Sequence, residues 1–531
     1  MNMFDKIKPN INEYPNDIAL SLDGIDVTFE QLNEKIKQAR AKLISLGVKE
    51  YDKVALILPN IVETVALFYA LDQLNATTVM LHPLSSPTML KKRSDFVGVK
   101  YVFVLDVLVK KHKKIFERDK VIVISMANSL KGIKRLFLKT RYAFLFYGRK
   151  FDNVPSSITK PVITTTNKDA VILFSSGTTG DQKAISLSRD AFNALADQMQ
   201  TFVTLDRGKD AMYCVLPFFH GFGLGITMHG VLAIGGRCVL IPRLQKKTMV
   251  TQLLKERPSY MAGVPYLYRI LLKDPQFRQA DLSFIKQAFV GGELVQPQLV
   301  EQVNRLFKLN GSKGSLQVGY GCTESVSAVT LTAAFDSTPN KVGEPLPGNG
   351  YLIIKEDGTI AKPYEQGEIA ITGPTLMNGY YQNPTLTEQV MKMHDGKMYY
   401  HTSDIGHIDQ QGSLYFSHRK DELMKVKGFF VNPLEVEQAL YTIEGCMEVK
   451  VFVNANEKLC AMMVFDRKEP EVIRKRQTAQ ACEHLDRWSI PTQYYVVDEI
   501  PKNEMRKYDI KRINQSLSDR DKISFVTEWH L

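Results

Sequence analysis

The sequence predicts an α/β protein with a large N-terminal domain of stacked α/β subdomains, a small β segment and a small C-terminal α+β domain. The chain has 531 residues, more than one hydrophobic core usually organises, so at least two domains are expected. Short apolar runs alternate with longer amphipathic stretches, as in parallel sheets joined by crossover helices. From about Tyr351 the pattern changes to short strands separated by tight turns.

The alternation is clearest near the N-terminus. Residues 53–59 (KVALILP) are predicted to form a buried strand, residues 61–74 a helix and residues 76–83 the next strand. Such sheets bind ligands beyond the carboxyl ends of their strands. Close to the C-terminus, EVEQALYTI, MEVKVFVNA and EKLCAMMVFD mix helix and strand patterns again, which predicts a small separate domain.

Composition limits the functional classes. The net charge of +11 allows nucleic acid, anionic membrane or polyphosphate as partners. No module typical of nucleic-acid-binding proteins occurs, so nucleic acid is not expected as a partner. The six cysteines form no Cys-x-x-Cys pair, and the opening residues carry no apolar run after their charges. A reduced, cytoplasmic protein without a signal peptide is therefore expected.

Two segments call for a test of membrane contact. Residues 211–236 lack any acid, lysine or arginine, but repeated glycines and Pro217 favour a strand, a loop and a buried helix over a membrane span. Residues 129–150 combine seven cationic residues with aromatic side chains and contain no acid. For this second segment, weak peripheral contact with an anionic membrane and a solvated basic helix both remain open.

The most specific local feature is a loop rich in glycine and hydroxyl groups, directly after the apolar run VILF. Glycines allow a tight turn that presents backbone N–H groups, while hydroxyls and a lysine add donors and charge, a combination that suits phosphate. The spacing differs from the Walker type, which argues against a kinase or motor ATPase. A surface loop without a ligand is the alternative. The loop residues of interest are Ser175, Ser176, Gly177, Thr178, Thr179, Gly180 and Lys183.

This loop and four later elements together resemble the adenylate-forming (AMP-binding) superfamily, of the acyl-CoA synthetase and luciferase type. The later elements are VGYGCTE (318–324), YHTSD (400–404), RKDELMKVKG (419–428) and PKNEMRK (501–507). Any one of them is weak, whereas five in the family's order and spacing are specific. Some positions depart from the family's usual residues. Ala184, Ser403, His418 and Arg506 stand where glycine is usual, and Gln182 where proline is usual.

The resemblance implies an ATP-dependent acid–thiol ligase. Such an enzyme converts a carboxylic acid into an acyl-AMP with release of pyrophosphate, and then transfers the acyl group to coenzyme A. A carboxylate oxygen is a poor leaving group until it has attacked the α-phosphate of ATP. Because negative charge gathers in that transition state, cations, Mg²⁺ and N–H donors should dominate catalysis. A carrier-protein thiol as acceptor, and a non-catalytic relative that binds nucleotide or lipid, are the alternatives.

The resemblance also assigns roles to individual residues. Lys507 is the catalytic cation, assisted by Thr178 and by Glu324, the expected magnesium ligand. The remaining ATP and AMP contacts are Gly292, Glu293, Tyr320, Gly321, Thr323, Asp404 and Arg419. The acyl pocket comprises Phe219, His220, Gly221, Gly291, Val318 and Gly319. Coenzyme A and the hinge are assigned to Asp421, Lys427 and Gly428.

Taken without the family, several of these residues have structural alternatives. Lys507 alone would be a solvated lysine, Tyr320 a core residue and Asp404 a cap on a turn. Gly428 would lie in an ordinary turn, and His220 either lines the pocket or satisfies a hydrogen bond in the core. The family's register favours the functional interpretation of the others and leaves His220 open.

The resemblance further implies the domain organisation and the class of acid. Residues 1–418 form the AMP-binding domain, and residues 419–531 form a mobile lid that carries Lys507 and rotates near Asp421. Amino-acid-adenylating relatives usually place an aspartate in the segment that corresponds to residues 216–224, and none occurs here. An uncharged acyl tail, of a fatty or aryl acid, is therefore expected.

Overall fold

The structure is a computed structural model, and it describes residues 1–113, 115–129, 135–136, 138–140, 147–157, 168–175, 183–243, 245–420, 422–426, 429–466, 469–502, 508–518 and 525–530. The chain divides into two compact units. The first comprises Met1–Leu352 and Ala370–His401, and the second comprises Ile353–Ile369 and Thr402–Leu531. The predicted domain boundary between residues 418 and 419 stays a prediction.

The first unit contains a large sheet whose central strands are parallel. The strands from Leu316–Gly321 through Ile18–Leu22 pair in parallel, and the outer strands pair antiparallel. In spatial order the strands are Lys341–Pro345, Ala328–Leu331, Leu316–Gly321, Gln287–Val290, Tyr260–Gly263, Ala211–Cys214, Arg237–Leu240, Ile18–Leu22 and Ile25–Thr28.

A second sheet of the first unit contains the N-terminal elements predicted from the sequence. Its strands from Val171–Phe174 onward are parallel, and its first two strands are antiparallel additions. In spatial order they are Gly379–Tyr380, Ala184–Leu187, Val171–Phe174, Thr77–Met80, Lys53–Ile57, Tyr101–Leu105, Val121–Ile124 and Arg149–Lys150. The predicted strand, helix and strand at 53–83 are confirmed as Lys53–Ile57, Val62–Gln73 and Thr77–Met80.

Helices cover these sheets, and their ends follow from local chemistry. The helix Phe29–Ser45 begins where the Thr28 hydroxyl accepts the Gln31 N–H at 3.2 Å, so one free donor of the first turn is satisfied. A buried ion pair, with Arg189 Nε 2.7 Å from Asp72 Oδ1, ties two of the helices together. The helices of the first unit are Met3–Glu13, Phe29–Ser45, Val62–Gln73, Pro87–Val97, Arg189–Met199, Lys246–Glu256, Pro265–Lys273, Pro275–Gln279, Pro297–Leu309 and Pro384–Val390.

The apolar segment 211–236 has the form predicted for it. The strand Ala211–Cys214 leads through a loop into a buried π-helix, Phe222–Gly230, and a further turn, Val231–Ala233. Across the described ranges, no helix combines the length and apolar character that a membrane span requires. Much of the basic segment 129–150, and with it the question of membrane contact, lies outside the described residues.

The second unit confirms the predicted change to antiparallel hairpins. Along the chain, the strands Gly367–Thr372 and Lys397–Ile408 pass from one unit into the other. Its own elements are the strands Leu414–Arg419, Met424–Val426, Phe429–Val431, Cys446–Val453, Leu459–Phe465, Gln493–Val497 and Phe525–His530 and the helices Pro433–Tyr441, Glu471–Ala481 and Ile510–Ser518. The sheet that begins at Cys446–Val453 packs apolar residues on both faces, which gives this unit a core of its own.

Candidate active site

Two paired strands of the sheet hold the two ends of the predicted phosphate loop together. Ser175 directly follows the strand Val171–Phe174, and Lys183 directly precedes its antiparallel partner, Ala184–Leu187. The Ser175 N–H donates to the Lys183 carbonyl at 3.1 Å. The loop therefore begins and ends at one point, at the carboxyl end of a parallel strand. Its other predicted phosphate contacts, Ser176, Gly177, Thr178, Thr179 and Gly180, lie outside the described residues.

The predicted magnesium ligand, Glu324, lies on a rigid turn after the strand Leu316–Gly321. The Ser325 hydroxyl donates to the carbonyls of Cys322 and Ser327, which fixes this turn. The Glu324 side chain is buried, and the backbone carbonyl of Glu324 accepts a hydrogen bond from the Met377 N–H at 2.7 Å. A carboxylate held in this way suits Mg²⁺, which prefers oxygen ligands.

One tyrosine contacts the Glu324 side chain, and a second tyrosine contacts the first. The Tyr380 hydroxyl donates to Glu324 Oε1 at 3.0 Å and lies 3.4 Å from the Tyr400 hydroxyl. The Lys183 ammonium lies over the face of the Tyr380 ring, 5.1 Å from the ring centroid. Burial, aided by the Glu324 carboxylate, raises the pKa of Tyr380, so its hydroxyl stays protonated and can donate.

No role was predicted for Tyr380, and Tyr400 was named only as the first residue of a motif. No local signal pointed to either, since Tyr380 meets Glu324 across 56 positions of the chain. The detectable signal is weak: a glycine precedes Tyr380 in the short strand Gly379–Tyr380, which lies beside the strand that follows the phosphate loop.

The carboxyl ends of two neighbouring strands bring together most of the other predicted residues of the first unit. Val290 pairs with Val318 in parallel, which places Gly291 beside Gly319. A side chain at Gly291 would put its Cβ only 2.5 Å from the Gly319 carbonyl oxygen, so the close approach requires glycine here. The predicted residues that lie in the last positions of these two strands or directly after them are Gly291, Gly292, Glu293, Gly319, Tyr320, Gly321, Thr323 and Glu324.

An apolar cavity lies beside the same strand ends. Its floor includes Phe202 and Phe289, whose rings meet edge to face with centroids 5.5 Å apart. Among the described residues, no charged or hydrogen-bonding side chain lines it. The lining residues are Phe202, Phe222, Ile226, Phe289, Val290, Gly319, Ala328, Leu331 and Leu346.

The cavity overlaps only partly with the predicted acyl pocket. Gly319 lines the cavity. Val318 directly precedes Gly319 in the chain, and Gly291 directly follows the lining residue Val290. The Phe219 ring instead contacts the rings of His82 and His220 in a tilted arrangement, with centroids 4.3 and 4.8 Å away. Gly221 is a packing glycine, because an added Cβ would meet the Val326 carbonyl oxygen at 1.6 Å.

In the second unit, two of the predicted ATP and AMP contacts form an ion pair. Asp404 and Arg419 face each other on antiparallel strands, with Arg419 Nε 3.0 Å from Asp404 Oδ1. The Asp404 N–H donates to the Thr402 hydroxyl at 3.0 Å. Ser403 has a φ of +63°, a left-handed conformation that favours glycine. The remaining predicted residues, Asp421, Lys427, Gly428 and Lys507, lie outside the described residues.

Fold and site together define a nucleotide-dependent enzyme of the adenylate-forming class. The family model described as AMP-binding enzyme matches residues 7–381. The chain belongs to the AMP-binding enzyme family.

Relatives and solved structures extend this similarity to nearly the whole chain. The long-chain-fatty-acid–CoA ligase of Bacillus subtilis (strain 168) is 27% identical over 523 residues, which cover 94% of this chain and 92% of the relative. The enzyme of the same name from Salmonella typhimurium is 28% identical over 510 residues, 91% of this chain and 89% of the relative.

Two solved structures share the fold. The anthranilate CoA ligase AuaEII in complex with anthranoyl-AMP superposes with a TM-score of 0.82 at 21% identity, covering 98% of both chains. The O-succinylbenzoate coenzyme A synthetase of Bacillus subtilis, in complex with ATP and magnesium ion, gives a TM-score of 0.75 at 21% identity, covering 97% of this chain and 99% of the other.

These findings confirm the predicted family, fold class and enzyme class. The protein is an acid–thiol ligase that works through an acyl-adenylate. In agreement with the predicted substrates and cofactors, the curated relatives are named as fatty-acid–CoA ligases, and neighbours of the same fold bind ATP or ATP and magnesium ion.

Proposed function

We propose that the protein is a fatty acyl-CoA synthetase. The observation that carries this proposal is the apolar cavity beside Gly319, because an uncharged hydrocarbon tail is the ligand that such a lining favours. Within the part of the chain that the structure describes, no charged side chain lines the cavity to hold an α-ammonium or a second carboxylate. The names of the Bacillus and Salmonella relatives support the same class of acid.

In this proposal the first half-reaction is an attack by the acid on ATP. A carboxylate oxygen of the acid bonds to the α-phosphorus, and the bond from that phosphorus to the bridging oxygen of pyrophosphate breaks. Lys507 would lie over the attacking oxygen and the α-phosphate, while the loop from Ser175 to Lys183 would hold the other phosphates. Glu324 would hold Mg²⁺, and the ion would supply positive charge that neutralises the phosphates.

The second half-reaction forms the thioester. The sulfur of coenzyme A bonds to the acyl carbon, AMP leaves with the former carboxylate oxygen, and the thiol proton passes to solvent. Asp404 and Arg419 hold the ribose of the nucleotide through both steps. We further propose that residues 419–531 form a lid that turns near Asp421, bringing Lys507 in for the first step and Gly428 for the second.

Three finer points belong to the same proposal. Coenzyme A is the proposed acceptor, with a carrier-protein thiol as the second candidate. We place the enzyme in the cytoplasm, where its six free cysteines would stay reduced. Weak membrane contact through residues 129–150 would bring it close to its substrate, since seven cationic residues there favour an anionic surface.

A panel of acids tests the proposed function. The protein is incubated with MgATP, coenzyme A and saturated acids of increasing chain length, benzoate or amino acids, and pyrophosphate release and acyl-CoA formation are followed. We expect both products with fatty acids. Activity with amino acids alone would contradict the proposal, and adenylate without acyl-CoA, rescued by a carrier protein, would select the other acceptor.

The role of Lys507 is tested with its neighbour as the control. Lys507→Ala should abolish pyrophosphate release while ATP binding is largely kept, because the lysine stabilises charge that develops only in the transition state. Arg506→Ala removes an adjacent cation and should leave most of the activity. Wild-type adenylation by Lys507→Ala would refute this assignment.

A further inference from the structure

Tyr380 is the side chain that links the two charged groups expected to meet the phosphates and the metal ion. Its hydroxyl contacts the Glu324 carboxylate and its ring face contacts the Lys183 ammonium. We propose that Tyr380 is a positioning residue for MgATP, which orients Glu324 toward Mg²⁺ and Lys183 toward phosphate. The proposal rests on the proposed roles of Glu324 and Lys183.

The Tyr380 hydroxyl orients the Glu324 carboxylate. A carboxylate has two oxygens, and the Tyr380 hydroxyl donates to Oε1 of Glu324 at 3.0 Å. This bond fixes the plane of the carboxyl group and directs Oε2 toward a cation. Since Tyr380 donates to Glu324, its own oxygen accepts from the Tyr400 hydroxyl at 3.4 Å, and the two bonds polarise each other.

The face of the Tyr380 ring orients the Lys183 ammonium. Lys183 Nζ lies 5.1 Å from the centroid of the Tyr380 ring, within the range of a cation–π contact. Lysine has a long, flexible side chain, so a contact of this kind restricts where the ammonium can lie. One residue thus orients a negative group with its hydroxyl and a positive group with its ring.

The backbone around Tyr380 is bonded in a way that suits this role. The Tyr381 N–H donates to the Ala184 carbonyl at 2.7 Å, and the Asn378 N–H donates to the Ser186 carbonyl at 2.9 Å. The Met377 N–H donates to the Glu324 carbonyl at 2.7 Å. Consequently the segment is attached both to the strand that follows Lys183 and to the backbone of Glu324, and the side chain cannot shift independently of either.

Two substitutions separate the contributions of the hydroxyl and the ring. Tyr380→Phe keeps the ring under Lys183 and removes the bond to Glu324. It should raise the Mg²⁺ concentration for half-maximal pyrophosphate release by about ten- to a hundredfold, as loss of a group that supports a metal ligand does, with the KM for the acid unchanged. Tyr380→Leu should in addition raise the KM for ATP at saturating Mg²⁺.

A binding measurement complements the kinetics. Mn²⁺ is titrated into the enzyme with a non-hydrolysable ATP analogue and followed by electron paramagnetic resonance. Tyr380→Phe should weaken Mn²⁺ binding in proportion to the kinetic shift. The matched control is Tyr381→Phe, because Tyr381 is the next residue and its ring instead contacts Phe96 and Lys53. This control should behave as wild type in both measurements.

The outcomes distinguish this proposal from the proposed function. If Tyr380→Phe keeps the wild-type Mg²⁺ midpoint and Mn²⁺ affinity, the positioning role is overturned. If the wild-type protein adenylates no acid, the proposed function fails, while Mn²⁺ binding with the analogue still tests Tyr380. Should Tyr380→Phe fail to fold, Tyr400→Phe takes its place. It should shift the Mg²⁺ midpoint in the same direction by a smaller factor, and an unchanged midpoint would overturn the proposal.

Discussion

Two acidic residues of the candidate site, Glu324 and Asp404, have contrasting partners. Glu324, in the first unit, is buried, and the tyrosine hydroxyl on its carboxylate is buried as well. Asp404, in the second unit, is also buried but pairs with an arginine whose side chain is 46% exposed. A carboxylate with a buried partner is oriented before substrate arrives, whereas a half-exposed partner is screened by water until a ligand excludes it. We therefore expect the contacts of Glu324 to be the more preorganised.

The largest expected effect is at Glu324. Glu324→Gln keeps the size and the bond from Tyr380 but removes the charge, and should lower the rate of pyrophosphate release by about 10²- to 10³-fold, as for other electrostatic groups. Asp404→Asn is the comparison and should lose much less. Glu301→Gln, on an exposed helix face, is the control. Equal losses at positions 324 and 404 would remove the distinction between the two halves.

A second expected effect concerns pH and the buried interior of the first unit. His229 is enclosed by Tyr69, whose hydroxyl lies 3.1 Å from Nδ1, and Asn193, whose Oδ1 lies 3.2 Å from Nε2. Burial lowers the pKa of His229 to about 3, while in the unfolded chain it titrates near its ordinary value of about 6.5. Between these values the unfolded state binds the extra proton. Stability is therefore fully present above pH 6.5 and falls by about 1.4 kcal/mol per pH unit as the pH drops toward 3.

Urea unfolding at several pH values checks this expectation. His229→Gln removes the titrating group, so its free energy of unfolding should fall less steeply between pH 6.5 and pH 4 than that of the wild type, although it starts lower at neutral pH. His484→Gln, at an exposed position, should keep the wild-type slope. A parallel decline in His229→Gln and wild type would rule out His229 as the source.

The third effect tests the half-exposed arginine that pairs with Asp404. Arg419→Ala removes a partner that water already screens, so the KM for ATP should rise by only about tenfold, the equivalent of about 1.4 kcal/mol. Because exposed pairs are screened, the difference from wild type should shrink as salt is added. Lys420→Ala, at the next position, is the control. A loss as large as that of Glu324→Gln would show that the arginine acts in the transition state.

The smallest effect concerns backbone strain beside Asp404. Ser403 adopts a φ of +63°, where a residue with a Cβ is disfavoured by about 1–2 kcal/mol. Ser403→Gly should therefore stabilise the protein by about 1 kcal/mol, which thermal or urea unfolding of the second unit can measure. Ser413→Gly is the control, because Ser413 does not have a positive φ. A destabilised Ser403→Gly would mean that its hydroxyl outweighs the strain.

Comparison of the two halves also explains how far sequence could predict the molecule. Strands such as Lys53–Ile57 and the helix Val62–Gln73 were predictable because their signals are local, in hydrophobic runs of the right length. Glu324 and Asp404 could be proposed as site residues because each lies within a short motif. Tyr380 was not, because its partners are brought to it only by the pairing of Gly379–Tyr380 with Ala184–Leu187.

The lining of the cavity shows the same limit of prediction from sequence. Phe222 and Phe289 lie in segments that the sequence had already pointed to, but Phe202 and Leu346 reach the cavity from elements with no motif. Membership of a pocket depends on which side chains converge after folding, and a single sequence does not encode that in local spacing. The glycine usual at position 403 was a true structural signal, since the backbone there is left-handed even with serine in place.

The bond between Tyr380 and Glu324 has one more consequence, because it connects the two sheets of the first unit. Tyr380 extends one sheet, and Glu324 follows a strand of the other. The donor–acceptor distance of a hydrogen bond varies by only a few tenths of an ångström. This bond therefore restricts the spacing between the two sheets. Chimaeras that exchange one sheet with a relative, and thereby alter this spacing, should lose metal affinity before they lose the ability to fold.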